Sequence, residues 1–338
     1  MGYEKIINYK EFNDCLTRIN KWYLKKSKIL NIVTSPYNST LIYSSIIIEV
    51  IRKGGNVLYI WENNSSNNEL IKDIKLKNSN ITYSYIEKGE SKSNIVFSSF
   101  KNMIDIRGKY DLCIIDDISN FSLMNSDELI ELIEAMYIYS NRIIIYSIER
   151  IVSMGEKIEI CSLISNKPHI EPRILNTRIK LEEDIPYSLY DYLLWFRDTK
   201  RKVIIYAPTE EKAKNVYKQY TDKLKISGAK FILLLRNDSL KELESSLKTK
   251  EKSLFLITSH FGEYLKRLQD VSVVVLFADN VYYSYKKLIY LCGKVGENDK
   301  NPGEILLVSR EISNDMEEAK NFSRGLNKKI WEKGLLRY

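Results

Sequence analysis

The sequence has few of the residues that build metal sites and disulfide frameworks. Its 338 residues include 4 cysteines and 2 histidines. No two cysteines form a C-x-x-C pair, which argues against a zinc site or a disulfide framework. His169 and His260 have no spacing typical of a catalytic base or a metal ligand. We therefore expect buried thiols, no bound metal and no histidine chemistry.

Long apolar runs and a leader-like start are also missing. Apolar stretches such as residues 45–51 and 271–278 fall far short of the ~18 residues that a membrane-spanning helix needs. The first residues lack the apolar core of a signal peptide, and Ile6 stands where a myristoylation motif needs Ser or Thr. We expect a cytoplasmic protein without membrane insertion.

The composition is that of an ordinary globular protein, with 44% hydrophobic and 28% charged residues. The length allows two domains, each with its own core. A net charge of +8 suits a polyanionic partner such as nucleic acid. The chain is also rich in Lys, Asn, Ile and Tyr, residues with A/T-rich codons, so genome bias alone is an alternative source of the charge.

Strand and helix patterns alternate through the first half of the chain, which predicts a mostly parallel sheet. Helical spacing is found at residues 10–29, 41–53, 69–75 and from 125 onward. Apolar strand patterns are found at 29–33, 56–61, 81–85, 94–97, 112–115 and 142–146.

The alternation restarts in the second half, after a charged, proline-containing stretch. Strand patterns are found at 202–207, 231–235, 253–258, 271–277 and 304–308, and helical patterns at 187–197, 210–224, 239–248, 285–292 and 314–326. We predict an α/β protein with a first domain at 1–165, a linker at 166–185 and a second domain at 186–338.

Two carboxylates, Asp116 and Asp117, end the buried strand pattern at 112–115. Ligands of parallel α/β sheets bind at the carboxyl ends of the strands. One aspartate there can hold Mg²⁺ while its neighbour orients an attacking water on a nucleotide, which is the Walker B arrangement. The alternative is a strand that ends in a turn whose aspartates are solvated or cap the next helix.

The loop at residues 34–40 lies between a strand and a helix, which is the context of a phosphate-binding loop. Such a loop needs glycines, so that its N–H groups can approach the phosphates, and a lysine for the β- and γ-phosphates. This loop contains neither residue.

The order of these segments resembles the superfamily 2 helicases and translocases, and most closely the ComFA family of late-competence proteins. The resemblance covers roughly residues 28–327 and depends more on order and spacing than on identities. It rests on residues 34–39, 114–117, 205–209, 257–263, 291–297 and 303–307. It implies two tandem RecA-like domains of the P-loop NTPase type, with mostly parallel sheets flanked by helices.

Several positions depart from the motifs of this family. In the phosphate loop Asn38 replaces the lysine, Ser35 and Tyr37 replace glycines, and Ser39 keeps a hydroxyl. In the D-E-x-D motif the second acid is lost at Ser119. The four-cysteine zinc module of the family has no counterpart.

The sixth motif departs as well. It normally supplies arginines to the γ-phosphate, whereas this chain has Lys294 and Glu297. An arginine finger contributes roughly 10³- to 10⁵-fold to the rate. The resemblance therefore implies a degenerate nucleotide site at Ser35, Asn38, Ser39 and Lys294, with Asp116 and Asp117 at the catalytic position. We expect little or no ATP hydrolysis and no cofactor, or Mg-ATP if the site still functions.

Family members grip a nucleic-acid strand with small hydroxyl residues, and Ser98, Ser99, Thr258 and Ser259 match such positions. The alternative for all four is a helix cap or a turn. The tyrosines at 282, 283 and 285 are candidates for base stacking, although core or rim positions are the commoner use of such residues.

Three functional hypotheses follow. The first is a ComFA-like, non-hydrolysing module that binds single-stranded DNA or a protein of the DNA-uptake machinery. The second is an active ATP-dependent DNA translocase with divergent motifs. The third is a structural scaffold that docks a partner protein without nucleic acid.

Overall fold

The computed structural model describes residues 6–25, 27–62, 66–86, 93–106, 108–120, 124–224, 226–235, 253–262, 271–295 and 303–335. The chain divides into two compact units. The first unit comprises Met1–Pro168 and Lys328–Tyr338, and the second comprises His169–Asn327. Each unit has its own parallel sheet with helices, so the chain is an α/β protein, as predicted.

The first unit has a seven-stranded sheet in the described part of the chain. Its strands are β1 (Ile29–Val33), β2 (Val57–Trp61), β3 (Tyr83–Tyr85), β4 (Ile95–Ser99), β5 (Leu112–Asp116), β6 (Ile143–Ser147) and β7 (Glu156–Glu159). Its α-helices are α1 (Tyr9–Leu24), α2 (Ser44–Arg52), α3 (Asn68–Lys77) and α4 (Ser126–Tyr139). Short 3-10 helices at Thr40–Tyr43 and Phe100–Asp105 precede α2 and follow β4.

The topology of the first sheet places its helices on both faces. The strands are parallel and follow the order β3-β4-β2-β5-β6-β1-β7. The crossover from β1 through α2 to β2 runs across the sheet in the opposite direction to the crossover from β5 through α4 to β6. Because such crossovers are right-handed, α2 and α4 cover opposite faces.

The start of α4 illustrates how local sequence sets an element boundary. The Asn125 side chain accepts a hydrogen bond from the Glu128 N–H at 2.9 Å, and the Glu128 carboxylate accepts one from the Asn125 N–H at 2.8 Å. This capping box satisfies two N–H groups that the helix leaves without internal partners. The apolar face of α4 then packs on the sheet through Leu129, Leu132, Ile133 and Met136.

The second unit has a six-stranded parallel sheet in the described residues, in the order β10-β11-β9-β12-β13-β8. Its strands are β8 (Arg173–Asn176), β9 (Lys202–Tyr206), β10 (Ala229–Leu234), β11 (Ser253–Thr258), β12 (Val271–Leu276) and β13 (Ile305–Ser309). Its helices are α5 (Tyr187–Asp198), α6 (Glu210–Gln219), α7 (Tyr285–Val295) and α8 (Asn314–Glu332), of which the residues from Lys328 onward belong to the first unit. The core includes Phe196, Val203, Phe255 and Val274, all fully buried.

The structure differs from the sequence-based expectation at several boundaries. The expected linker at 166–185 contains β8, which pairs with β13 as an edge strand. Residues 328–338, expected in the second domain, belong to the first unit. The helix expected at 41–53 begins as a 3-10 turn because Ser39 caps it there and accepts a hydrogen bond from the Leu41 N–H. The helix expected at 239–248 lies outside the described residues.

All four cysteines are buried, and burial raises the pKa of the Cys15, Cys113 and Cys292 thiols to about 12. In the described ranges, no group of three or more His, Cys, Asp and Glu side chains is placed to hold a metal ion. None of the described helices combines the length and the apolar character needed to cross a membrane. The thiols therefore act as small packing groups of the two cores.

Candidate functional site

The candidate nucleotide site lies at the carboxyl edge of the first sheet. The loop after β1 contains the buried residues Ser35, Asn38 and Ser39, and β5 ends at Asp116. The main-chain N–H of Thr34 bonds to the Ser147 carbonyl at the end of β6, which fixes the start of the loop. The structure therefore brings together the two segments that the sequence nominated, at the edge where ligands of parallel sheets bind.

Asn38 fills the centre of this loop and is only 4% exposed. Its side-chain N–H₂ donates to the Thr34 hydroxyl and to the Cys161 carbonyl, both at 2.7 Å. Its side-chain oxygen accepts from the N–H groups of Ser39 at 2.9 Å and Leu163 at 3.0 Å. The amide thus makes all four of its usual hydrogen bonds within the chain and ties the loop to the segment after β7.

The main-chain N–H groups of Tyr37 and Ser39 in the loop, and of Leu41 just after it, are also engaged. The Tyr37 N–H donates to the Ile118 carbonyl at 3.0 Å, the Ser39 N–H to Asn38, and the Leu41 N–H to the Ser39 hydroxyl at 3.3 Å. A phosphate-binding loop directs such groups at the phosphate oxygens. A phosphate bound in that way would have to displace these internal bonds.

Asp116 is saturated as a hydrogen-bond acceptor. One carboxylate oxygen accepts from the N–H groups of Ile118 and Ser119, both at 3.0 Å. The other accepts from the Ser119 hydroxyl at 2.6 Å and from the Tyr59 hydroxyl. A carboxylate offers about four lone-pair positions, so this set leaves none for a metal ion. Burial raises the pKa of the Asp116 carboxyl, and the four donors oppose that shift.

Three tyrosines occupy the space beside Asp116, and sequence reasoning missed them. Tyr43, Tyr59 and Tyr146 are fully buried, and burial raises the pKa of each phenol. Tyr146 donates to the Ser39 carbonyl at 3.1 Å and meets Tyr43 edge to face, with ring centroids 5.4 Å apart. The sequence alone did not mark them, because strand register brings two of them to this place: Tyr146 on β6 pairs with Asp116, and Tyr59 on β2 pairs with Ile114, two residues before Asp116.

Of the remaining nominated residues of the nucleotide site, Asp117 adjoins this cluster. The Asp117 side chain is 1% exposed, and its N–H donates to the Tyr146 carbonyl at 2.9 Å. Lys294 lies on α7 in the second unit and is partly buried. Glu297 falls outside the described residues.

Three of the four nominated nucleic-acid residues are buried. Ser98 and Ser99 end β4 with 0% and 2% exposure, directly before the 3-10 helix at Phe100–Asp105, and the Ser98 hydroxyl donates to the Ser99 carbonyl at 3.3 Å. Thr258 is the last residue of β11, and its hydroxyl accepts a hydrogen bond from the His260 N–H at 3.1 Å, which is a turn contact. Ser259 is partly exposed beside it.

Aromatic residues gather at the carboxyl edge of the second sheet. Phe261 packs against Tyr206 and Tyr283, with centroid distances of 4.9 and 5.0 Å. Tyr283 is buried, whereas Tyr282 is 36% exposed and meets Tyr283 edge to face. The Lys287 ammonium lies 4.0 Å from the Tyr282 ring centroid and donates to the Tyr282 carbonyl. Tyr282 therefore presents a braced ring next to a cation at this edge.

Comparison with known proteins gives similarity at the level of the fold. No protein-family model matches the chain, and no curated protein matches it. Among solved structures, the chain is similar to the E. coli DExH-box NTPase HrpB, with 12% identity and a TM-score of 0.52, over 92% of this chain and 42% of that one.

Two further solved structures are similar to the chain to different degrees. Xpd4 of S. tokodaii has 11% identity and a TM-score of 0.53, over 95% of this chain and 99% of that one. The DUF1998 helicase MrfA, solved bound to DNA, has 12% identity and a TM-score of 0.48, over 93% of this chain and 48% of that one. The chain thus spans less than half of the length of HrpB. It has a helicase-type fold with two RecA-like sheets.

Proposed function

We propose that this helicase-fold protein binds single-stranded nucleic acid, with DNA as the favoured form, and does not hydrolyse ATP. The observation that carries the proposal is the closed carboxyl edge of the first sheet. Asn38 satisfies the loop there, and Asp116 has four internal donors.

The residues present do not fit Mg-ATP. Binding would require a cation for the β- and γ-phosphates where Asn38 lies, and a free carboxylate oxygen where Asp116 accepts four hydrogen bonds. Opening both networks would leave buried polar groups without partners, at about 1–3 kcal/mol for each group. We infer that neither Asp116 nor Asp117 serves a catalytic step.

The second unit supplies the support for nucleic-acid binding. In a helicase-type fold, the nucleic-acid strand binds along the carboxyl edges of the two sheets. Tyr282 is an exposed aromatic ring at such an edge. Stacking of a base on an aromatic side chain contributes about 1–3 kcal/mol and tolerates any sequence. Lys287 and Ser259 lie at the same edge. They offer a cation and a hydroxyl to the phosphates of the nucleic acid. The net charge of +8 favours a polyanion.

A narrower form of the proposal places the protein in DNA uptake, as the resemblance to the ComFA family implies. The motif order of the sequence supports it. It predicts that deletion of the gene lowers transformation by added DNA while growth stays normal. An equal transformation frequency in the deletion strain would refute this narrower form and leave nucleic-acid binding intact.

The decisive experiment is a fluorescence-anisotropy titration of a labelled single-stranded oligonucleotide, with and without Mg-ATP, at several salt concentrations. We expect affinity that falls steeply with salt, does not respond to Mg-ATP, and is accompanied by no phosphate release. An ATP-dependent affinity would favour an ATP-driven translocase. Absence of binding at low salt would refute the proposal and favour a scaffold, because a basic helicase-type surface binds DNA non-specifically under those conditions.

Two tyrosine variants localise the site. We expect Tyr282→Ala to weaken binding by about tenfold or more, since it removes the stacking surface. The matched control is Tyr139→Ala, because Tyr139 is 40% exposed, close to the 36% of Tyr282, and belongs to the other unit. Equal losses in both variants would argue against a site at the second sheet.

A further inference from the structure

Two complementary surfaces of the first unit have no role in the proposed function. The first is a groove of about 460 Å³ at the amino edge of the sheet, where α1, α2 and α3 end. Its lining includes the basic residues Arg52, Lys53 and Lys77, the acidic residue Glu49 and the apolar side chain of Leu24. Leu24 is 80% exposed, an uncommon position for a large apolar side chain at the rim of a basic groove. We call this surface the basic groove.

The second surface is a stripe along α4, formed by Asp127, Glu131, Glu134 and Ile138. Their spacing of four, three and four residues places them on one side of the helix. All four are exposed, and Ile138 is 75% exposed. Among the described residues, none of the three carboxylates forms an ion pair. We call this surface the acidic stripe.

The two surfaces match in chemistry. The groove lining has three cations and one carboxylate, that of Glu49, and the stripe has three carboxylates, so the two surfaces are opposite in net charge. Each surface also has one exposed apolar side chain. The groove cations Lys53 and Lys77 are held by Glu49 and Asp73 of their own helices, at 3.1 and 2.6 Å. The Lys53–Glu49 pair is exposed and therefore weak, so an incoming carboxylate can share or replace it at little cost. The Asp73 carboxylate is buried and retains Lys77, so Arg52 and Lys53 are the cations offered to an incoming carboxylate.

The fold prevents the two surfaces from meeting within one unit. The helices α2 and α4 cover opposite faces of the first sheet, because their crossovers run in opposite directions. The groove of one molecule can therefore accept only the stripe of another. Such a contact joins two different surfaces, so every assembly still has one groove and one stripe unoccupied. A further copy can bind at either end, and the chain of copies can grow.

We propose that the protein self-associates head to tail, with the acidic stripe of one copy seated in the basic groove of the next. A contact between a stripe of four side chains and this groove involves fewer than the roughly 20–30 residues per partner of a standard stable interface, so we expect a weak association that is seen at high protein concentration. It depends on charge and therefore weakens as salt screens the pairs.

The test is sedimentation velocity on full-length protein free of nucleic acid, from about 5 to about 200 µM in about 50 mM NaCl. We expect a sedimentation coefficient that rises with concentration without a plateau, and falls back to that of a monomer at about 1 M salt. A monomer throughout the series, or a plateau at a dimer, would overturn the proposal.

Two variants, each altered on one surface, sharpen the test. The stripe variant carries Glu131→Gln and Glu134→Gln, and the groove variant carries Arg52→Gln and Lys53→Gln. Each alone should be at least about tenfold weaker in self-association. Their equimolar mixture should form a heterodimer and nothing larger, because one intact stripe then meets one intact groove. Chain growth of either variant alone, or no complex in the mixture, would refute the assignment.

The matched control is Lys214→Gln with Lys218→Gln, which removes two exposed cations from α6 in the second unit. It changes the net charge as the groove variant does and should associate like the wild type. If it fails to associate, general charge effects explain the behaviour and the proposed contact is wrong.

Discussion

Replacing Asn38 by alanine tests directly whether the hydrogen bonds of its side chain stabilise the closed conformation of the loop after β1. The change leaves the N–H groups of Ser39 and Leu163 buried without their acceptor and removes the donor to the Cys161 carbonyl. Each orphaned buried group costs about 1–3 kcal/mol. The Cys161 carbonyl keeps the Thr34 hydroxyl as a donor, so we expect a total loss of about 3–5 kcal/mol in the free energy of unfolding.

Urea unfolding followed by tryptophan fluorescence can isolate the first unit. Of the four tryptophans only Trp195 belongs to the second unit, so a Trp195→Phe background leaves emission from the first. With a urea dependence of about 2 kcal/mol per M, the midpoint should fall by about 1.5–2.5 M. Mg-ATP should leave the midpoint of the parent protein unchanged, because a ligand that does not bind adds no stability.

The matched control is Asn67→Ala. Asn67 is also buried, but its side-chain oxygen supports a single N–H, that of Leu70 at the start of α3, and its N–H₂ group donates to the Thr40 hydroxyl, each at 3.1 Å. Loss of a cap costs about 1 kcal/mol, which corresponds to a midpoint shift of about 0.5 M. If Asn38→Ala shifts the midpoint no further than this control, the loop is not held shut by Asn38 and the argument against nucleotide binding loses its main support.

Three further predictions follow from other parts of the structure. Gly155→Ala should lower the free energy of unfolding by more than about 3 kcal/mol, since its Cβ would lie 2.3 Å from the Ile29 carbonyl oxygen. Its control is Gly54→Ala, at a glycine that is equally left-handed but in open space, which should lower that free energy by about 1 kcal/mol in the same urea assay. Burial lowers the pKa of His169 from 6.5 to about 4, so the unfolded chain binds the extra proton. The free energy of unfolding of the second unit should be highest above about pH 6.5 and fall by about 3 kcal/mol toward pH 4. His169→Gln should remove this pH dependence in urea titrations followed by circular dichroism. The buried cysteines should not react with a thiol reagent until urea unfolds the protein, and rapid labelling of the native protein would contradict their burial.

The central strands were predictable because they are buried on both faces. The run at 112–115 and the isoleucines of β6 carry no polar alternation, which indicated covered parallel strands. The edge strands β7 and β8 were missed, since strands paired on one side can be short and polar. Their place in the sheet depends on pairing with strands that are far away in sequence. A local sequence pattern does not contain that information.

The position of the candidate site was also predictable, but its internal bonding was not. The end of an apolar run placed Asp116 at the carboxyl edge. The partners of Asn38 lie 123 and 125 residues away, at Cys161 and Leu163, and Tyr59 reaches Asp116 across 57 residues. These contacts follow from sheet order and register, which fix which side chains face each other at the edge.

The residues at the positions that the resemblance assigns to motif residues bond within the chain. Ser119, at the position matched to the second acid of the D-E-x-D motif, supplies two of the four bonds to the buried Asp116 carboxylate. Asn38, at the position matched to the phosphate-loop lysine, accepts the Ser39 N–H and bonds three other groups. Among the described residues, the buried hydroxyls of Tyr43 and Ser44 have no such partner, but the polar side-chain atoms of Asn38, Asp116 and Ser119 all do. These three side chains are therefore satisfied without a ligand, which favours a fold that is stable with this part of the site closed.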